Sequence, residues 1–235
     1  MTRPLFRAAL LGALLPACAA PAAADAASDG LPVVEVPASE QAPASDVVVI
    51  LMSGDGGWAS IDKRLAARLS AAGVLVVGLD MRAYLLRKPT PDRAGREVGE
   101  LARHYMATWH RARVAIVGYS RGADLAPFIA NRLPGDVRAQ LSLVAMLGPG
   151  ERASFHFHWI DLVRKSSDPG DLPLAPELEH LRGTPMLCVY GRDEGESGCR
   201  DADSTLVHRH ATNGGHHFDG NFEAVADLVL AALKP

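Results

Sequence analysis

The segment Gly118-Tyr119-Ser120-Arg121-Gly122 sets a serine between two glycines, a G-x-S-x-G spacing suited to a nucleophile on a sharp turn. The glycines permit close backbone approach on both sides while the serine is held strained with its hydroxyl exposed. A serine hydroxyl is a weak nucleophile unless an imidazole takes its proton, and the imidazole needs a carboxylate to orient it and offset its charge. Both partners follow in the chain. Gly191-Arg192-Asp193-Glu194 offers two carboxylates, and Gly214-Gly215-His216-His217-Phe218 offers two imidazoles. The chemistry expected of such a set is acyl transfer, with Glu194 or Asp193 as the acid and His216 or His217 as the base. Ser53-Gly54-Asp55-Gly56-Gly57-Trp58 is a second glycine-rich turn. The backbone N–H of its Asp55 or Gly56, together with that of Arg121, would stabilise a tetrahedral intermediate.

These residues must be delivered by strands and helices, and the chain alternates the two. Asp46 to Met52 is a short apolar run rich in β-branched residues, followed by the glycine breaker and a helical pattern from Trp58 to Ala72. The scheme recurs: strand Val74 to Leu79 with helix Pro91 to Trp109, then strand Val114 to Val117 with helix Arg121 to Arg132. Further strands are expected at Leu141 to Leu147, Met186 to Tyr190 and, more weakly, Thr205 to His208, before a last helix from Phe222 to Leu233. Strands that are apolar on both faces and alternate with helices imply an α/β class with a mostly parallel sheet covered on each side. With the elbow at a strand-to-helix junction, the α/β-hydrolase fold is expected over residues 46–235. Residues 148–183, rich in Pro, Gly and His, are the place for a small cap or a loop bordering the site. Hydrolases of this fold usually carry their acid where Glu194 stands, three residues after Gly191, which favours it over Asp193. The Gly-Gly-His-x-Phe arrangement favours His216 over His217.

The other classes are disfavoured by composition. The chain has 235 residues, 48 % hydrophobic and 22 % charged, with a formal net charge of -3, so nothing draws it to nucleic acid. Arg3 and Arg7 precede an apolar stretch from Ala8 to Leu15 and then small residues to Ala24, the layout of a secretory signal. Residues 1–24 are therefore expected to be a signal peptide and residues 25–45 a flexible leader, with the mature protein outside the cytoplasm. Losing residues 1–24 removes Arg3 and Arg7 and no acid, which takes the net charge from -3 to -5. Leu15-Pro16-Ala17-Cys18 is a weaker alternative, a lipidation box that would anchor the chain through Cys18. Cys188 and Cys199 then remain as one pair for an oxidising compartment, worth about 3 kcal/mol by loop closure; the bland alternative is two unrelated thiols. His208, His210, His216 and His217, with His156 and His158 elsewhere, lack the spacing of H-E-x-x-H or a cysteine cage, and no metal is expected. Neither a Walker pattern nor G-x-G-x-x-G is matched, and no cofactor is expected.

The turn 53–58, the segment Gly118 to Asp124, the Cys188 to Cys199 stretch with Tyr190, Gly191 and Glu194, and Gly215-His216-His217-Phe218-Asp219-Gly220-Asn221 occur in that order. Together they resemble the VirJ/AcvB-type virulence-associated α/β-hydrolases of Gram-negative bacteria. The resemblance runs from about Asp46 to the C-terminus. It implies a periplasmic serine hydrolase that removes the aminoacyl group from lysyl- or alanyl-phosphatidylglycerol, so the expected partner is an aminoacylated phospholipid head group, with peripheral contact at a membrane surface. Such a substrate carries an ammonium beside the scissile carbonyl, and one of three carboxylates is expected to receive it: Asp124, one helical turn beyond Ser120, ahead of Asp55 and Asp219 in loops at the same edge of the sheet. A carboxylesterase or thioesterase with another acyl substrate would use the same residues, and a non-catalytic secretion-system adaptor would need none of them.

Overall fold

A computed structural model of the chain describes residues 30–156 and 170–234. The expected signal peptide, Cys18 and His158 lie outside the described residues. Seven strands form one sheet in the order β1 (Val33–Val36), β3 (Leu75–Leu79), β2 (Val47–Met52), β4 (Arg113–Tyr119), β5 (Leu141–Leu147), β8 (Met186–Gly191) and β9 (His208–Thr212). All neighbours pair in parallel except β1, which runs antiparallel to β3. Two-residue strands β6 (Arg152–Ala153) and β7 (Leu172–Pro173) pair apart from the sheet.

Both faces of the sheet are covered, and β2 shows how. Its six residues are all fully buried, yet they divide by the two-residue period of a strand. Val48, Ile50 and Met52 pack toward α3 (Pro91–Thr108) and α4 (Arg121–Asn131), whereas Val47, Val49 and Leu51 pack toward α1 (Ser60–Ala71) and α7 (Phe222–Leu233). Shorter helices α2 (Met81–Leu85), α5 (Gly135–Arg138) and α6 (Ala175–His180) fill the remaining junctions. The starts of α2 and α3 are set by their caps: Asp80 Oδ1 accepts from the Ala83 N–H at 3.0 Å, and Thr90 Oγ1 accepts from the Arg93 N–H at 3.3 Å just before Pro91.

Two expectations need correction. Residues 25–45 do not form a flexible leader throughout, because Val33–Val36 is the edge strand β1, in register with Val76–Leu79. Leu31 is buried in the core and Tyr105 donates to Glu35 at 2.6 Å, so apolar burial and a side-chain bond fix a segment whose Ala/Ser/Pro neighbours read as a linker. The last strand lies at His208–Thr212 rather than Thr205–His208. Asp203 accepts from the Thr205 N–H at 2.8 Å and from the N–H groups of Leu206 and Val207 through its carbonyl, which turns residues 203–207 into a bend. Because β9 is an edge strand with its first three residues exposed, it carries no apolar run.

Asp62 in α1 is fully buried, with Oδ2 accepting from the Ala59 N–H at 2.9 Å and Oδ1 without a hydrogen-bond partner among the described residues. Burial, with a smaller contribution from the Asp80 carboxylate, pushes its pKa up to about 6. The folded state therefore holds this proton more tightly than the unfolded chain. Its stabilising contribution is complete below pH 4 and is lost as pH rises through 6. Asp62→Asn is expected to flatten the fall in stability between pH 4 and 7 by about 3 kcal/mol, read as denaturation midpoints across that range; a parallel fall in both proteins would refute the assignment.

Candidate active site

The site is assembled at the carboxyl ends of the parallel strands, where loops rather than the sheet carry chemistry. Ser120 stands between the end of β4 and the first residue of α4 with φ 52° and ψ -118°, a backbone conformation that costs a non-glycine residue energy and is held by its surroundings. Its N–H donates to the Leu147 carbonyl at 2.9 Å. A side chain at Gly118 would run into the backbone of Gly122, and one at Gly122 into the backbone of Met52 and Ser53. Both glycines are thus required for β4 and α4 to meet β2 at this angle. The Ser120 hydroxyl does not cap α4; it lies 2.8 Å from His216 Nε2.

His216 sits in the loop after β9, with Nδ1 2.6 Å from Glu194 Oε1. A carboxylate accepts only, so Nδ1 carries the proton and Nε2 turns its lone pair to the serine Oγ–H. Glu194 is held in turn by the Gly191 N–H, which donates to Oε2 at 2.8 Å, and its side chain is 7 % exposed. Gly148, at φ +65°, leaves the room this pair occupies: a Cβ there would stand 3.1 Å from His216 Nδ1. Of the two acids and two histidines in the sequence, the structure brings Glu194 and His216 to Ser120. Asp193 is exposed on the same turn, and His217 Nδ1 instead lies 2.8 Å from Tyr119 Oη. Burial, together with the carboxylates of Asp62 and Glu194, raises the Tyr119 pKa and keeps that hydroxyl protonated. The arrangement can move a proton from Ser120 Oγ to His216 while Glu194 balances the imidazolium.

The 53–58 turn closes over the serine. Gly57 N–H donates to the Gly54 carbonyl at 3.1 Å, and a Cβ on Gly54 would lie 3.3 Å from that of Ser120. Asp55 follows Gly54 and accepts from Arg121 Nε at 3.0 Å, so the turn and the N-terminus of α4 are tied together beside the nucleophile. Gly56 is exposed at the tip. Asp124 does not offer a free carboxylate to an ammonium. Its Oδ1 accepts from the Gly150 N–H at 2.7 Å and its Oδ2 is 3.8 Å from Arg121 Nη1, so it braces the 148–150 loop against α4. Cys188 and Cys199 form a disulfide with a Cα–Cα distance of 5.5 Å. Gly148 and Tyr119 border these atoms and Arg200 bonds the Glu194 carbonyl, and none of the three was given a role by sequence; for Gly148 the signal was its place as the first residue after β5.

Residues 46–235 match the family described as bacterial virulence protein (VirJ). The chain belongs to the VirJ family. No curated protein matches this VirJ-family chain. Among solved structures it is similar to Est1E from Butyrivibrio proteoclasticus, with a TM-score of 0.59 and 12 % identity over 87 % of this chain and 96 % of that one. An alpha-beta serine hydrolase homologue from Coxiella burnetii gives a TM-score of 0.60 and 15 % identity, covering 86 % and 91 %. The Pyrococcus furiosus esterase Pf2001 gives 0.57 and 12 %, covering 87 % and 93 %. These likenesses establish the α/β-hydrolase fold for the VirJ-family domain, and function must be argued from the site.

Proposed function

We propose that this VirJ-family protein is an exported serine hydrolase that cleaves the aminoacyl ester of lysyl- or alanyl-phosphatidylglycerol through an acyl-enzyme. The observation that carries the hydrolase reading is the unbroken chain from Ser120 Oγ to His216 Nε2 at 2.8 Å and from His216 Nδ1 to Glu194 at 2.6 Å, set on a strained elbow. Ser120 Oγ attacks the ester carbonyl as His216 takes its proton. The carbonyl oxygen, now an anion, is received by the backbone N–H of Arg121 at the start of α4 and by that of Asp55 or Gly56 in the turn after β2. Collapse breaks the bond to the glycerol oxygen of the lipid, which leaves with the proton from His216. Water then attacks the acyl-serine by the same route, releasing the amino acid and restoring Ser120.

The aminoacyl-lipid substrate rests on family membership together with the four motifs, and export rests on the Arg3/Arg7 leader and a disulfide suited to an oxidising compartment. The deciding experiment incubates the mature chain with lysyl- and alanyl-phosphatidylglycerol vesicles and with a neutral short-chain ester, beside Ser120→Ala. Release of amino acid that disappears in the variant is the expected result. Turnover of the neutral ester alone would place the substrate elsewhere, and no turnover of any ester would leave a fold used for binding.

A further inference from the structure

Glu194 reaches His216 from the turn between β8 and β9, so the position of its carboxylate depends on how that turn is held. The turn has little packing of its own. Arg192, Asp193, Gly195 and Glu196 are exposed, and a Cβ at Gly195 would meet nothing within 4 Å. Segments of this kind open locally at low cost unless specific bonds close them.

The N–H groups of Arg192 and Asp193 donate to the Thr212 and Gly214 carbonyls, at 3.0 Å each, and one side chain adds bonds to the carbonyls of the turn. Arg200 Nη2 donates to the carbonyl of Glu194 at 2.6 Å and to that of Arg192 at 3.2 Å. Its guanidinium carbon stands 5.7 Å from the ring centroid of Tyr190 on β8, within cation–π range. The Arg200 backbone is itself fixed, because its carbonyl accepts from Arg209 Nη1 of β9 at 2.6 Å and the preceding Cys199 is bonded to Cys188 of β8. A charged donor thus gathers two main-chain carbonyls of the acid turn from an anchor on the neighbouring strands.

We propose that Arg200 is a positioning residue: by holding the carbonyls of Arg192 and Glu194 it keeps the Glu194 carboxylate on His216 Nδ1, without touching the imidazole, the serine or the substrate. The inference rests on the reading of Glu194 as the acid of a serine hydrolase. It requires that Arg200 act only through Glu194, and a double-mutant cycle reads that directly. Arg200→Met keeps an unbranched stem over Tyr190 and removes the donors, and Arg200→Lys restores a charge but not the planar fork.

The test measures kcat and KM on a soluble acetate ester, in the mature chain with Glu194 and with Glu194→Gln, after thiol titration has shown the disulfide intact. Arg200→Met is expected to lower kcat about 10- to 50-fold with KM unchanged, Arg200→Lys to recover part of that loss, and Arg200→Met to cost less than about 2-fold once Glu194 is Gln. An equal loss in both backgrounds, a loss carried by KM, or no loss would overturn the proposal; should Arg200→Met not fold, Arg200→Lys and Arg200→Gln carry the same comparison. Labelling of Ser120 by a fluorophosphonate separates the two levels. Labelling and turnover with an unaffected Arg200 variant overturn the positioning role alone, whereas a protein that neither labels nor turns over any ester overturns the hydrolase reading and this inference with it.

Discussion

Ser120→Ala is expected to lower kcat on any ester substrate by at least about 10⁴-fold, and His216→Ala by a similar factor, with the double variant little worse than either. The reason for the non-additivity is geometric. Ser120 Oγ and His216 Nε2 share one hydrogen bond of 2.8 Å, and without either partner the proton has no path. Glu194→Gln is the more informative change. The Gly191 N–H donates to Glu194 Oε2 at 2.8 Å, so a carboxamide at this position turns its oxygen to Gly191 and its NH₂ to His216 Nδ1. That forces Nδ1 to accept and puts the imidazole proton on Nε2, facing Ser120, where it cannot serve as a base. A loss of about 10³- to 10⁴-fold in kcat with little change in KM is expected from the wrong tautomer alone. Asp193→Asn and His217→Gln are expected to cost less than about 10-fold, because neither side chain lies on the proton path. Steady-state kinetics on a soluble ester checks the ranking, and an Asp193 variant weaker than the Glu194 variant would reverse the choice of acid.

How much of this site was legible in the sequence varies by residue. Ser120 could be placed because its two glycines are demanded by backbone contact, and such contact leaves a fixed spacing. Asp193 and Glu194 are adjacent, as are His216 and His217, so their own spacing does not separate them, and Glu194 and His216 were preferred only on the likeness of their offset from Gly191 and of the Gly-Gly-His-x-Phe arrangement to hydrolases of this fold. The choice is made by the Gly191 N–H and by Tyr119, whose hydroxyl engages His217. Asp124 stands where its offset from Ser120 put it, but the offset is silent about the Gly150 N–H and the Arg121 guanidinium that occupy its carboxylate. Arg200 left no pattern at all, since a bond to a main-chain carbonyl constrains the donor and not the residue type that accepts.

The fold followed burial in the same way. Leu141–Leu147 and Phe222–Leu233 were read with both ends correct, because central strands and packed helices carry their environment in apolar runs. The edge strands were the errors. β1 is four residues with half-exposed valines and β9 is His-Arg-His-Ala-Thr; each is fixed by ladder bonds to β3 or β8, which any residue but proline can make.

The disulfide joins these two themes, because it closes the turn that carries Glu194. Cys188 and Cys199 are fully buried in the same cluster and are 11 residues apart. Reducing the bond leaves the packing of both sulfurs in place and frees the chain between them, so the loss falls on the entropy of loop closure, about 3 kcal/mol. For a domain of this size that corresponds to a fall in Tm of roughly 6–12 °C. Activity is expected to fall as well, in kcat rather than KM, since the turn that loosens holds the acid on His216 Nδ1. Thermal unfolding and ester kinetics with and without a phosphine reductant read both effects, and Cys188→Ala/Cys199→Ala should match the reduced protein and ignore the reductant. A lower Tm with kcat intact would mean that the bonds of Arg200 and Gly191 to the turn are enough to hold Glu194 in place, and that the covalent link serves stability alone.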